Sequence, residues 1–400
     1  MVAHADAAES VAWRLIVALG VTQIVAWGSV YYLFALLMEP LQQALAADKQ
    51  QVVGAFSLAL LVSGLATPWV GRTIDRVGGR SVMTAGSLGA ALLLAVLSRV
   101  ETLAALYATW LGLGLAMAAT LYAPAFAVLT QAHPVRYRAA IGTLTLFGGF
   151  ASTVFWPLTA LLIGHLGWRD ALLVLAAINL LVCVPLHAWL LPPPPADRAV
   201  GDGDIGARDP AARDVLRTRP FIALAACFVG QSLVVSAIGV HLIALLAARG
   251  LSPAAAAGIA ALVGPMQVLG RVVEMSVARR VSAATAGRVA ALCFPLGLLA
   301  LWLAPQAPWL VLVFALFYGA GNGVMTIVRG AVPAELFGRT HYGAISGALA
   351  APGMLAGAFA PLLASLLWAA FGDYERVLAA LALLSAAAAA AFFVATARRA

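Results

Sequence analysis

The chain has 400 residues, 63% of them hydrophobic and only 10% charged, with a mean hydropathy of +0.98. That composition excludes a soluble globular enzyme and defines an integral membrane protein. The formal charge of +8 does not point to nucleic acid: of 24 basic residues only Lys49 is a lysine, and the arginines occupy short loops between apolar runs instead of a continuous stripe.

In chain order, residues 1–12 are mildly polar with two acidic side chains, unlike a secretory leader, and the apolar run that follows is long enough to cross a bilayer. The first span is expected from about Trp13 to Met38, and the second from Val52 to Gly71. Spans three to six fall near Ser81–Leu97, Leu103–Leu129, Ala139–Ile163 and Ala171–Leu191. The second half follows with Phe221–Ala247, Pro253–Val273, Thr285–Leu303, Trp309–Val332, Gly343–Ala369 and Val377–Val394. The expected fold is therefore all-α, with twelve transmembrane helices in two six-helix bundles, residues 1–191 and 220–400. Residues 192–219, rich in proline, arginine and aspartate, read as the linker between them.

Alternate loops differ sharply in arginine content. The side carrying Arg72, Arg76, Arg80, Arg136, Arg138, the linker, Arg279, Arg280, Arg288, Arg339, Arg398 and Arg399 outweighs the side with Lys49, Arg99, Arg169, Arg249 and Arg376. The positive-inside rule makes the first side cytoplasmic, with both termini inside a cell inner membrane. Trp168, Trp302 and Trp309 at the opposite ends fit interfacial anchors.

The loop Gly71-Arg72-Thr73-Ile74-Asp75-Arg76-Val77-Gly78-Gly79-Arg80 has the chemistry of a hinge. Gly71 permits close helix approach, Asp75 accepts hydrogen bonds from a neighbouring helix end, and Arg76 and Arg80 hold the turn in the aqueous phase. A degraded copy, Gly270-Arg271-Val272-Val273-Glu274, sits at the matching place in the second half, so the chain reads as an internal repeat. Twelve spans, two halves and this loop resemble the major facilitator superfamily, whose corresponding loop reads G-x-x-x-D-R-x-G-R-[KR]. The resemblance implies alternating access, with Gly71, Asp75, Arg76, Arg80 and Glu274 forming a latch for one state.

Several stretches are similar to the monocarboxylate transporter and oxalate/formate antiporter branch: Tyr31 through Pro40, Arg136 through Gly142, Gly148-Gly149, Pro157 and Gly167-Trp168-Arg169. That resemblance implies that Arg271 corresponds to the branch's substrate-contacting arginine. Gln267 stands one turn earlier, where the monocarboxylate transporters have an acid, and no first-span lysine is present.

Polar groups inside spans mark function in membrane proteins. Arg271 and Arg329 are candidates to grip a carboxylate, with the alternative that each stays near the cytoplasmic interface, Arg271 beside Glu274 and Arg329 beside Glu335. Asn322, Thr326 and Arg329 share a helical face, and Asn322 and Gln267 join the candidate site. Gln23, Trp27, Tyr31, Tyr122 and Trp156 would form an amphipathic cavity wall, or pack as ordinary core. His241 is the leading proton carrier and Glu39 a second, against the alternatives of a hydrogen-bonded neutral imidazole and a solvated helix end.

No Asp or Glu falls in the middle of a span, which favours anions over cationic drugs or metal ions. The three cysteines, Cys183, Cys227 and Cys293, lie in apolar spans without redox or metal spacing, and read as packing residues. No nucleotide-binding loop, hydrolytic triad or zinc motif is present, so neither a cofactor nor enzymatic activity is expected. The reading is a secondary active transporter, working as a monomer, that moves a small organic anion, a monocarboxylate, by proton symport or anion exchange. An efflux pump for amphipathic drugs and a non-transporting membrane sensor are the alternatives.

Overall fold

The computed structural model describes residues 2–133, 135–193, 210–251, 253–278, 280–339 and 341–397. Most of the expected linker (194–209), Arg279, Arg398 and Arg399 lie outside the described residues, as does the Trp156 side chain. The described residues are helical and contain no strand.

Among the described residues eleven helices are long and apolar enough to cross a membrane, and one of them, Tyr137–Leu190, runs for 54 residues. That stretch reverses at Gly167, where φ is 80° and ψ is 161°. Only glycine takes such a backbone at little cost, so the stretch is two spans and the total is twelve.

The first-half spans are α1 (Val2–Ala26, a π-turn Trp27–Tyr32, then Leu33–Leu45), α2 (Lys49–Val77), α3 (Gly79–Leu97) and α4 (Leu103–Thr120 and Tyr122–Ala132). Next come α5 (Tyr137–Gly149, continued over 151–166) and α6 (168–190), the latter holding π-turns Asn179–Cys183 and Leu186–Leu190. The second-half spans are α7 (Arg219–Ala248), α8 (Pro253–Val277), α9 (Ala283–Leu303), α10 (Leu310–Phe337), α11 (Tyr342–Phe371) and α12 (Tyr374–Thr396).

Helix starts follow from local chemistry. The hydroxyls of Thr102, Thr218 and Ser282 accept the backbone N–H groups of Ala105, Phe221 and Thr285, and Asp373 accepts that of Arg376. These are N-caps, which satisfy orphan donors at the first turn of α4, α7, α9 and α12. Two boundaries differ from expectation. The first span does not stop at Met38 but continues to Leu45, because Leu37 and Leu41 bury one face while Glu39 and Gln43 keep the other wet. The linker also contains a short helix, Pro210–Leu216, whose opening proline suits a first helical position.

The chain divides into two compact units. The first comprises residues 1–208 and 339–351, and the second residues 209–338 and 352–400. The first turns of α11 thus belong with the N-terminal helices.

Each unit is built by the same devices. In the first, a Cβ on Gly114 of α4 would lie 2.4 Å from the Ala59 carbonyl oxygen of α2. In the second, a Cβ on Gly323 of α10 would lie 2.0 Å from the Gln267 carbonyl of α8, and one on Gly270 would lie 2.4 Å from the Ala320 carbonyl. Small residues allow these backbone-to-backbone crossings. Arg80 at the start of α3 donates through Nε to the Leu191 carbonyl at the end of α6, 2.7 Å. Arg288 near the start of α9 likewise donates to the Thr396 hydroxyl (2.9 Å) and carbonyl at the end of α12. The structural counterpart of Arg80 is therefore Arg288, and the repeat is stronger in its contacts than in its letters.

Candidate functional site

In the first unit, Trp27 and Tyr31 of the α1 π-turn and Tyr122 of α4 pack ring to ring. Trp27 lies 5.0 Å from Tyr31, 6.1 Å from Tyr32 and 5.1 Å from Tyr122 between centroids. The column continues through Tyr31 to Phe56 of α2 at 5.6 Å, and from Phe56 to Trp110 of α4 at 5.2 Å. Room for it comes from glycine: a Cβ on Gly148 would meet the Tyr122 hydroxyl, and one on Gly28 the Phe155 ring. Trp27, Tyr31, Tyr32 and Tyr122 are half-buried, and the Trp27 indole nitrogen is enclosed without a hydrogen-bond partner among the described residues.

Gln23 has a different place from the expected cavity wall. It is fully buried, and its Nε2 donates to the carbonyls of Thr120 (2.7 Å) and Leu121 (3.4 Å). Leu121 is extended and breaks α4 in two, freeing carbonyls that a continuous helix would satisfy. Gln23 supplies a donor at the break, the re-satisfaction that a membrane interior demands.

A buried polar seam joins α1, α3 and α6. Asn179 Nδ2 donates to Ser29 Oγ (2.8 Å) and to the Leu175 carbonyl (2.9 Å). The His187 ring spans Ser87 Oγ at 2.9 Å and Thr22 Oγ1 at 3.0 Å. His187 and its partners stand outside the site expected from sequence. The signal was there in the eight-residue spacing of Asn179 and His187 and the seven-residue spacing of Thr22 and Ser29, each placing two polar groups on one helical face.

Asp75 ends up where the loop chemistry implied. Its two carboxylate oxygens accept the backbone N–H groups of Gly343 (3.0 Å) and Ala344 (2.8 Å) at the first turn of α11, and Gln131 donates a third bond at 3.0 Å. A carboxylate there meets both orphan amides and the positive end of the helix dipole. Gly71 makes the approach possible, since a Cβ would lie 2.0 Å from the Gly343 carbonyl. Arg76 is exposed, while Arg80 is tied to α6.

In the second unit, the residue with the strongest claim is Arg329 of α10. Helices α7 and α10 run antiparallel, and the rings of Phe221 and Phe337 meet at one end, 6.0 Å apart. A helical side chain leans toward its helix N-terminus, so Arg329 points away from that end and deeper into the unit. Its guanidinium lies over the Phe228 ring at 5.5 Å, and Nη2 reaches Ser232 Oγ at a long 3.4 Å. Phe228 and Ser232 stand seven and eleven residues beyond Phe221, or about 10 and 16 Å along α7. That depth is near the middle of a hydrocarbon core of about 30 Å. The Nε is enclosed and has no hydrogen-bond partner, and no carboxylate among the described residues pairs with this guanidinium. Glu335 serves elsewhere, accepting the Ala283 (2.8 Å) and Ala284 (3.4 Å) amides at the start of α9.

The other candidates of this unit are dispersed. Arg271 and Glu274 are both buried on α8, 7% and 2% exposed. Gln267 and Asn322 are half-buried; the Gln267 backbone packs on Gly323, and the Asn322 carbonyl accepts the Thr326 hydroxyl at 2.9 Å. His241 sits seven residues from the far end of α7, with Nε2 3.0 Å from the Pro361 carbonyl and 3.3 Å from Ser365 Oγ, and Nδ1 3.3 Å from the Tyr374 hydroxyl. A neutral ring protonated at Nε2 satisfies the Pro361 and Tyr374 contacts, donating to the carbonyl and accepting from the phenol. Glu39 is exposed and, among the described residues, accepts only the Gln43 amide, 3.4 Å away on the same helix.

Twelve apolar spans, some of them broken or π-bulged within their length, define a multi-pass membrane protein. The profile of the Major Facilitator Superfamily matches residues 19–305, and the chain belongs to that family. Human Monocarboxylate transporter 11 is 35% identical over 139 residues, covering 34% of this chain and 29% of its own length. Bos taurus Monocarboxylate transporter 13 is 26% identical over 286 residues, covering 70% of this chain and 65% of its own. The chain thus spans less than two thirds of the length of either relative.

Among solved structures, the human organic anion transporter MFSD10 (TETRAN) superposes with a TM-score of 0.76 at 17% identity, over 96% of this chain and 99% of that one. The E.coli fucose:proton symporter FucP gives 0.73 at 14% identity, over 96% and 98%. Identities this low establish the fold alone.

Proposed function

We propose that this protein is a secondary active transporter of a small organic anion, a monocarboxylate, working by alternating access. The observation that carries the reading is Arg329: a guanidinium at mid-membrane depth, stacked on Phe228 and lacking a carboxylate partner, is costly unless an anion completes it. A planar carboxylate matches its fork bidentately. The similarity to monocarboxylate transporters points the same way, and buried Arg271 is the second candidate cation on the path. Asp75, seated on the first turn of α11, is the latch of one conformational state.

Proton coupling falls to His241. On protonation Nδ1 becomes a donor, and the Tyr374 hydroxyl can rotate to accept from it, so the pocket accommodates both charge states. The aromatic column around Trp27 favours a second reading, export of neutral amphiphiles stacked on its half-buried rings.

The test is thermal stabilisation of the purified protein by mono- and dicarboxylates and by lipophilic cations and neutral drugs, followed by flux into proteoliposomes. Stabilisation by a carboxylate that disappears in Arg329→Gln supports the anion reading. Stabilisation by neutral amphiphiles alone, abolished by Trp27→Ala, replaces it with the exporter.

A further inference from the structure

The second unit holds a cavity of about 550 Å³ at the end that carries Trp309. Ala255, Gly258, Ile259 and Leu262 line it from α8, and their spacing of i, i+3, i+4 and i+7 makes one stripe of that helix, about 10 Å long. Trp309 and Leu312, at the start of α10, line it as well. Just past Leu262 the two helices close on each other: a Cβ on Gly319 of α10 would lie 2.5 Å from the Met266 Cβ and 2.8 Å from the Val263 carbonyl. The cavity is therefore the cleft left where α8 and α10 separate beyond a backbone-to-backbone crossing.

Its surroundings are lipid. The cleft starts at the first turns of two membrane spans and reaches about 10 Å inward, within one leaflet of a hydrocarbon core of about 30 Å. Its apolar rim, Leu262, Trp309 and Leu312, is exposed, and Trp309, Leu312 and Leu316 continue as one exposed stripe along α10. A tryptophan at the end of such a stripe suits the membrane interface.

Among the described residues the one charged group lining the cavity is Arg249, at the end of α7, whose side chain is only 6% exposed. Its Nη1 donates to the Leu301 and Trp302 carbonyls at the end of α9, and its Nη2 donates to Glu375 at 3.0 Å. These bonds use three of five N–H groups, and the other two have no partner among the described residues. The Glu375 side chain is 60% exposed, so water screens its charge more than that of the buried guanidinium. A long apolar slot with a guanidinium at its interfacial end has the polarity of a phospholipid.

We propose that this cavity binds one membrane phospholipid, with an acyl chain in the cleft between α8 and α10 and the phosphate on Arg249. The site is separate from Arg329 and holds whatever the transported substrate is.

Gly258 offers the test, because a Cβ added there meets nothing within 4 Å and a larger side chain grows into the cavity. Gly264, on the same helix, is equally open but outside the lining, so Gly264→Leu is the control for Gly258→Leu. Native mass spectrometry of the delipidated, detergent-purified full chain, titrated with phosphatidylglycerol, counts the lipids retained. Wild type and Gly264→Leu are expected to take up a first lipid at about tenfold lower concentration than further ones, and Gly258→Leu to lose that first step. Diacylglycerol with the same chains, which lacks the phosphate, and glycerol phosphate, which lacks the chains, should each bind the wild type at least about tenfold more weakly. Arg249→Gln should lower phosphatidylglycerol to the diacylglycerol affinity. If that variant does not purify, since Arg249 also ties α9 and α12, the two lipids compared on the wild type test the same contact. A first step retained in Gly258→Leu, or lost equally in Gly264→Leu, overturns the proposal. Diacylglycerol binding as tightly as phosphatidylglycerol also overturns it, as does glycerol phosphate binding as tightly as the whole lipid.

Discussion

Single residues in this protein divide by whether their polar atoms are already spent. Asp75 has spent its own: two backbone amides of α11 and the Gln131 amide occupy its carboxylate. Asp75→Ala is expected to leave the first turn of α11 uncapped and to destabilise the protein by about 2 kcal/mol, the range for a lost charged cap. Asp75→Asn, which keeps one acceptor oxygen, should lose about half as much. Denaturation of the three proteins in the same detergent checks the order, and equal stability of Asp75→Ala and wild type would show that the cap carries no load. Arg329 is the opposite case: it is half-buried, and its enclosed Nε has no hydrogen-bond partner among the described residues. That open position is what makes it a candidate for a ligand and Asp75 a candidate for a latch.

At the scale of elements, glycine sets which helices touch. The α8/α10 crossing places the Gly323 Cα against the Gln267 backbone, and an added Cβ would sit 2.0 Å from a carbonyl oxygen that has nowhere to move. Gly323→Val is therefore expected to push α8 and α10 apart and to cost about 2 kcal/mol or more. Gly164, which faces open space, serves as the control: Gly164→Ala should change stability little or raise it slightly. Thermal unfolding of both variants gives the comparison, and a Gly323→Val protein as stable as Gly164→Ala would refute the close crossing. The broken helix α4 is the other element of note. Its break at Leu121 is tolerated because Gln23 of α1 reaches the freed carbonyls, so the two helices are coupled by a side chain that sequence pattern alone assigned to the cavity wall.

For the whole molecule, twelve spans put the Arg-rich loops on one side of the membrane and the loops with few arginines on the other. Among the native thiols, Cys183 and Cys227 are buried and Cys293 is half-buried within α9. None should react with a membrane-impermeant maleimide in intact cells. Single cysteines introduced at Gln306, between α9 and α10, and at Arg138, at the start of α5, are expected to label from opposite faces, Gln306→Cys from outside and Arg138→Cys only after permeabilisation. Labelling of both from the same face would break the topology.

The number of spans, the two-part repeat and the family were legible in the letters. Crossing a bilayer demands about twenty apolar residues, and each such run announces itself without reference to the others. The helix-end contacts of Gly71, Asp75 and Arg80 were legible for the same reason: glycine, aspartate and arginine have local jobs at a helix end. What the sequence could not decide was which polar side chains meet. Gln23 and Gln231 are the same residue type on apolar helices, yet the Gln23 Nε2 donates across to Thr120 and Leu121 while the Gln231 Nε2 has no partner among the described residues. Arg329 likewise read equally well as an interfacial arginine paired with Glu335, until α9 was seen to claim that carboxylate and α7 to receive the guanidinium. Burial and pairing are properties of the neighbours that packing brings, and those neighbours lie as many as 269 residues away along the chain.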